Sequence, residues 1–151
     1  MLLITLKRKY RANWAIAVDY NVLGLYYLKA QQYDRSIDYL NKSLPILEKT
    51  HGPHKTAIAI TLNNLGVAHQ KIRRYAKSID YFRKSLMTIN TKLKSNHPYV
   101  AMIHLNLSMV YYLNKNYDLS KAYSKKVIAA AQGFLPTNNQ ELMSYRKVVG
   151  R

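Results

Sequence analysis

His51 and His54 stand three residues apart with Glu48 shortly before them, the nearest this 151-residue chain comes to a set of metal ligands. They fall in a Gly-Pro loop, and a metal site needs three or four convergent donors, so no metal site is expected. Without cysteine there is no disulfide, no thiolate ligand and no cysteine nucleophile. The seven acidic residues are scattered, which leaves no carboxylate pair for general acid–base work. A phosphate-binding loop, a dinucleotide fingerprint and a nucleophile elbow are all absent from the sequence. The chain therefore reads as a protein with no catalytic residues, no cofactor and no small-molecule substrate.

What the side chains can offer instead is positive charge. The formal net charge is +17. Such an excess speeds association with acidic proteins, nucleic acid or anionic membranes and is silent on fold. Enrichment of Lys, Asn, Ile and Tyr by an AT-rich genome would produce it as well. Two runs have few acidic neighbours, Lys7-Arg8-Lys9-Tyr10-Arg11 and Lys71-Ile72-Arg73-Arg74-Tyr75. Lys7, Arg8, Lys9, Arg11, Arg73 and Arg74 are accordingly the anion-binding candidates. The opening MLLITLKRKYR lacks the charge-then-apolar order of a signal peptide. Residues 1–18 lack acidic groups, as a transit peptide does, but the repeat register described next accounts for that segment better. No stretch approaches the roughly 18 apolar residues of a membrane span, and a cytoplasmic location is expected.

The elements that must position these residues are repeated. Tyr33, Tyr75 and Tyr117 are 42 residues apart, inside QQYDRSIDYLNKSL, RRYAKSIDYFRKSL and KNYDLSKAYSKKVI. Ser36/Ser78/Ser120, Tyr39/Tyr81/Tyr123 and Lys42/Lys84/Lys126 share columns, as do Leu23-Gly24, Leu65-Gly66 and Leu107-Ser108 upstream. A fixed period of this size marks a stacked solenoid, whose units bury their apolar faces against their neighbours. Each unit holds two helical patterns. In the second unit Ala57, Ala59, Ile60, Leu62, Leu65 and His69 form one, and Tyr75, Ile79, Phe82, Leu86 and Ile89 form the other. Gly24, Gly66 and Ser108 lie in mid-helix, where glycine costs about 1 kcal/mol against alanine. Two helices are expected to approach closely there. Pro98 suits the first turn of a helix entered at Asn96 or His97, whereas Pro45 falls inside a second helix and should kink it.

The register continues past both ends, aligning WAIAV with TAIAI and Val149-Gly150 with Leu65-Gly66. The expected organisation is one solenoid over 1–151. It comprises a partial unit at 1–13 that opens within a second helix, units at 14–54, 55–96 and 97–137, and a partial unit or capping helix at 138–151. This reads as a portion of a longer array or as a degenerate short relative.

Leu23-Gly24 with Tyr27, and Tyr33 with Ser36, resemble the tetratricopeptide repeat. The 42-residue period, LNNLG at 62–66 and NHPYVA at 96–101 resemble more specifically the repeats of kinesin light chains. The resemblance covers roughly residues 12–150 and implies an all-α, right-handed α–α superhelix of about three units acting as a protein-interaction adaptor. Its first helices would line a concave groove in which the asparagine before Leu-Gly or Leu-Ser pairs the backbone of an extended peptide. Asn64 and Asn106 occupy that column and Val22 breaks it. Helical spacing adds Asn21, Asn63, Lys29 and Lys71, with Leu25, Val67, Met109 and Tyr112 as lining. In kinesin light chains such grooves take peptides with a tryptophan between acidic residues, so an acidic peptide is the expected ligand class. RNA or another anionic surface is the alternative partner. The family's carboxylate clamp is not expected, since of Asn21, Leu25, Asn64, Met102 and Asn106 in the matching columns only Asn64 fits.

Where the chain departs from the family pattern, Ser36, Ser78 and Ser120 replace alanine and His69 replaces tyrosine. His104 and Ser124 are polar at apolar columns, so the third unit is expected to pack most loosely. On the opposite face Arg35, Lys42, Lys77, Lys84 and Lys126 would form a basic ridge. The spacing of Asp38 to Lys42 and of Asp80 to Lys84 reads as ordinary support for a solvated helix.

Overall fold

The computed structural model describes residues 2–49, 55–90 and 97–132, with the side chains of Leu2, Leu3, Leu6, Lys7, Tyr10 and Asn90 left aside. His51, His54 and the closing segment 138–151 lie outside the described residues. Six helices account for nearly all of what is described: α1 (Leu2–Lys29), α2 (Tyr33–Lys49), α3 (Lys55–Lys71), α4 (Tyr75–Asn90), α5 (Pro98–Leu113) and α6 (Tyr117–Ala131). The fold is an all-α helical repeat.

One turn, used three times, joins the helices of each unit. Gln31, Arg73 and Lys115 share a column and adopt φ of 60°, 60° and 61°. Around Arg73, the amide of Arg74 donates to the His69 carbonyl and that of Arg73 to the Gln70 carbonyl, and the equivalent pairs close α1 and α5. This left-handed cap satisfies the last carbonyls of the first helix and reverses the chain within three residues. Entry to α5 follows the sequence expectation. His97 caps the helix through Nδ1, which accepts from the Tyr99 amide at 3.1 Å, and Pro98 occupies the first turn. Pro45 sits within α2, which continues beyond it to Lys49.

α1 differs from expectation. It runs unbroken from Leu2 to Lys29, through the columns where the later units have an inter-unit loop. The reason is local: Tyr10-Arg11 stands where 52–53 hold Gly-Pro, so nothing at that point ends the helix. The opening residues extend the first helix of unit one and form no separate helix.

The helices sort into two layers. α1 touches α3 and α3 touches α5, whereas α2, α4 and α6 make no contact with one another. Each of α2 and α4 packs between the first helix of its own unit and that of the next. First helices crowded together and second helices splayed apart bend the array, with α1, α3 and α5 on the inner side.

The seam between paired helices explains the small mid-helix residues. A Cβ on Gly24 would lie 2.6 Å from Leu40 Cγ, and one on Gly66 would lie 2.6 Å from the Phe82 ring. Ser36 Oγ donates to the Gly24 carbonyl and Ser78 Oγ to the Gly66 carbonyl, both at 2.7 Å. Seven residues on, Ser43 and Ser85 donate to the carbonyls of Ala17 and Ala59, again at 2.7 Å. Ser36 and Ser78, two of the serines that depart from the family pattern, are therefore buried bolts across the seam.

In the third unit the bulky residue opposite the glycine column, Leu40 or Phe82, becomes Ser124, and the glycine becomes Ser108. The two hydroxyls lie 2.6 Å apart, and Ser108 Oγ also donates to the Ser120 carbonyl at 3.0 Å. The expected loosening is confined to α6, which supplies none of the large, fully buried side chains among the described residues. On α5, Val100, Ile103, Leu107 and Val110 are as buried as any in unit two.

Candidate functional site

Four columns of the inner helices are left mostly free by this packing, apart from Val67, which packs against the core: Val18/Ile60/Met102, Val22/Asn64/Asn106, Leu25/Val67/Met109 and Lys29/Lys71/Leu113. Within each helix they fall at i, i+4, i+7 and i+11, which is one face. Val18, Val22, Leu25, Ile60, Met102 and Met109 are all exposed although apolar, Val22 most of all at 62%. The result is a largely apolar stripe crossing α1, α3 and α5, with Lys29 and Lys71 at one end. Between α1 and α3 it deepens into a cavity of about 230 Å³, lined by Trp14, Val18, Val22, Leu25, Ile60 and others, with Asn21 and Asn64 as its polar members.

The candidate groove asparagines divide. Asn64 is half-buried in the cavity wall, and its side chain has no partner among the described residues. Asn21 reaches the same cavity but its amide donates to the Thr61 hydroxyl, which in turn donates to the Ala57 carbonyl at 2.9 Å. Asn63 does not face the groove. It is 5% exposed, packed between α3 and α5, and its oxygen accepts from Asn106 Nδ2 at 2.9 Å. One residue along a helix is a 100° rotation, which carries Asn63 from the open face into the joint between units. Asn21–Thr61 and Asn63–Asn106 thus tie successive first helices together, and Asn106 is at once a groove column and a structural donor.

Lys29 and Lys71 are exposed at the ends of α1 and α3, as expected. Tyr112 is exposed at 62% but stands beside the stripe, edge-on to Tyr117 at 5.5 Å. Its column mate Gln70 is buried and Leu28 packs on the core between units one and two. The sequence reading missed Ile60, Val18 and Trp14. The signal that finds them is apolar residues at one helical face recurring with the 42-residue period, once packing has claimed the other faces.

The outer side carries a second motif, also in threes. Tyr27 stacks on Tyr39, His69 on Tyr81 and Tyr111 on Tyr123, with centroids 5.3, 5.3 and 5.5 Å apart. A lysine one turn on lies over each second ring: Lys42, Lys84 and Lys126, at 5.1, 5.9 and 4.6 Å from the centroids. These distances suit cation–π attraction. Of the two expected ion pairs, Asp80–Lys84 forms at 2.7 Å and raises the lysine pKa, whereas Lys42 lies over Tyr39 and Tyr20 instead of meeting Asp38. The basic ridge is therefore partly engaged with its own rings.

His69 is the irregular member. It is 3% exposed, and its Nδ1 has no hydrogen-bond partner among the described residues. Burial first, then the charges of Lys77 and Arg74, lower its pKa below the ordinary 6.5. His104, tilted against Tyr123 at 5.7 Å, has its pKa lowered by burial first and then by Lys126.

Of the anion-binding candidates, Arg8, Lys9 and Arg11 are exposed on α1, Arg73 and Arg74 are exposed at the turn before α4, and the side chain of Lys7 lies outside the described residues. Among the described residues no three His, Cys, Asp or Glu converge on a metal position, and no helix is long and apolar enough to cross a membrane.

Comparison with known proteins agrees with this geometry. No curated protein matches the chain. Among solved structures it is similar to BtubC from P. vanneervenii, with a TM-score of 0.75 and 19% identity over 89% of this chain and 56% of that one. It is similar to the nearly identical TPR-like repeats of a Podosopora anserina kinesin light chain, with a TM-score of 0.73 and 16% identity over 88% of this chain and 63% of that one. The N-terminal domain of stress-induced protein-1 from C. elegans gives a TM-score of 0.69 and 11% identity over 93% and 98%. The chain thus spans less than two thirds of the first and second of these proteins. A tetratricopeptide repeat family model matches residues 14–89 and 58–133. With that match covering most of its length, the chain belongs to the tetratricopeptide repeat family.

Proposed function

We propose that this chain is a protein-interaction module that holds an extended, acidic peptide along the stripe on α1, α3 and α5. Tetratricopeptide repeats generally bind proteins or peptides, and the finer reading rests on one observation. The stripe exposes apolar side chains in register over three units, beside an unpartnered Asn64 and two terminal lysines. Apolar columns would bury ligand side chains, Asn64 would pair a ligand backbone amide with donor and acceptor alike, and Lys29 and Lys71 favour a ligand with acidic residues at that end. The reading gives the chain no catalytic step.

The test is to select peptides from a random library on the wild-type protein and measure their affinity for Val22→Asp and Asn64→Ala. Val22 is exposed, so a charge there leaves folding intact. Apolar peptides of net negative charge are expected, with affinity falling about tenfold or more in Val22→Asp. Peptides that bind Val22→Asp as well as wild type would end the groove reading. Asn106→Ala is the poorer variant, since it would strand the buried Asn63 oxygen.

A second reading, RNA or an anionic surface held by the basic clusters, is favoured by the exposure of Arg8, Lys9 and Arg11 on one helix. Phosphate-dominated binding decays steeply with salt. RNA retention that survives about 0.3 M salt together with failure of every selected peptide would put this reading first.

A further inference from the structure

The turn of unit two differs from its two counterparts in charge. Lys71, Arg73, Arg74 and Lys77 are all exposed, and no acidic residue occurs between 70 and 79. In unit one the same columns hold Lys29, Gln31, Gln32 and Arg35, and in unit three Leu113, Lys115, Asn116 and Leu119. The acid that starts the second helix elsewhere, Asp34 in α2 and Asp118 in α6, is replaced here by Ala76. α4 accordingly begins without a carboxylate to offset its N-terminal dipole.

Unit one also shows how such a cation is satisfied when it is structural. Arg35 donates to Gln32 Oε1 at 3.0 Å and lies 5.5 Å from the Tyr27 ring. Lys77, in the same column, faces His69 in place of a tyrosine. Arg73, Arg74 and Lys77 have no hydrogen bond or ion pair from their side chains among the described residues. Together with Tyr75, Ala76 and Asn114 they line an open cavity of about 440 Å³. Asn114 comes from the next unit's turn, so the cavity bridges units two and three. Three unpaired cations share it, two of them guanidinium groups, whose planar forks match the paired oxygens of carboxylate or phosphate.

We infer that this edge of the solenoid, outside the concave stripe, is a binding site for an oxyanion group on a protein partner. The group would be a phosphorylated side chain or a short run of carboxylates. Arg73 and Arg74 would take its oxygens, Lys77 would add charge and Asn114 would supply an amide from the neighbouring unit. The site goes beyond the groove reading and stands without it.

Fluorescence anisotropy tests this with three labelled probes at about 0.1 M salt, where charges beyond about 10 Å are screened: a short glutamate–serine peptide, its phosphoserine form and a single-stranded RNA. Arg73→Asn/Arg74→Gln/Lys77→Gln is compared with Arg83→Gln/Lys121→Gln/Lys125→Gln, which removes the same charge from exposed positions elsewhere. Either peptide should lose about tenfold or more in the first variant and less than about twofold in the second. The stronger of the two peptides identifies the oxyanion as phosphate or carboxylate. Equal losses in both variants, or none in either, would reduce the site to general electrostatics and overturn it. RNA bound more tightly than both peptides and released only by the first variant would overturn the assignment to a protein partner. Val22→Asp leaves this edge untouched and reports on the groove alone.

Discussion

Units two and three carry the same columns but close their seams by different means. Unit two sets Gly66 against the Phe82 ring, and unit three sets Ser108 against Ser124. Both sides of the contact change together, a ring and an empty Cβ position giving way to two bonded hydroxyls, and the helix pair survives. The lower bolt changes without compensation: Ser85 reaches the Ala59 carbonyl, and Val127 has no hydroxyl to offer Ala101. His69 likewise occupies the column of Tyr111 and leaves a buried nitrogen unpaired. The repeat thus preserves a packing solution more faithfully than it preserves residues. Changes made on one side of a contact leave atoms or charges over, as at His69 in unit two and Val127 in unit three.

The largest effect should come from exchanging the seam pairs. Phe82→Ser removes a fully buried ring and should cost about 3–5 kcal/mol in urea titrations. Gly66→Ser alone drives a Cβ into that ring and should cost about 1–3 kcal/mol. The double variant, which copies unit three, should be more stable than the sum of the two by about 1 kcal/mol or more. Strict additivity would mean that Ser108 and Ser124 are not a compensated pair.

Ser85→Ala should cost about 1 kcal/mol, the net worth of one buried hydrogen bond. Val127→Ala is the matched control, which loses packing but no bond.

The His69 contrast is read through pH. Its folded pKa lies below the unfolded 6.5, so the unfolded chain binds the proton first as pH falls. Stability should therefore be unaffected above about 6.5 and decline from there toward the lowered folded pKa. The charges nearest His69, Arg74 and Lys77 before and on α4, oppose protonation, and the stacked Tyr81 brings no carboxylate. His69→Tyr, restoring the column, should flatten part of the decline in thermal midpoint between pH 7 and 5. His104, whose pKa is lowered by burial and Lys126, contributes in the same direction. An unchanged slope in His69→Tyr would show that the unpaired imidazole is not what titrates.

The smallest expected change is a gain. Lys115 holds φ of 61°, a conformation that glycine adopts without the Cβ penalty. Lys115→Gly should add about 0.5–1 kcal/mol, seen as a rise of a few degrees in thermal midpoint.

The architecture was open to reading because a period of 42 residues constrains every column at once. Gly66 announced a close approach before Phe82 was known to fill it. Other features needed the third dimension. Asn63 and Asn64 are adjacent in sequence, and only the angle between α3 and α5 decides which is walled in. Asp38 stands where an ion pair to Lys42 is expected, yet the lysine lies over an aromatic ring whose position depends on stacking across two helices. The unbroken α1 is legible in local chemistry, since Tyr10-Arg11 lacks the breakers that Gly-Pro provides at 52–53, although the column register there matches an inter-unit loop. The apolar stripe was hidden for a different reason, since exposed Val, Ile and Met read as core until the buried faces are assigned.

The claim that the inner stripe receives the partner is tested most directly by photocrosslinking a library-selected peptide to the protein. Benzoylphenylalanine would be placed at Val22 on the stripe or at Met87 on α4, both widely exposed at 62% and 73%. Crosslinking from position 22 with none from position 87 is the predicted result. Crosslinking from position 87 alone, or equally from both, would place the peptide off the stripe and contradict the account.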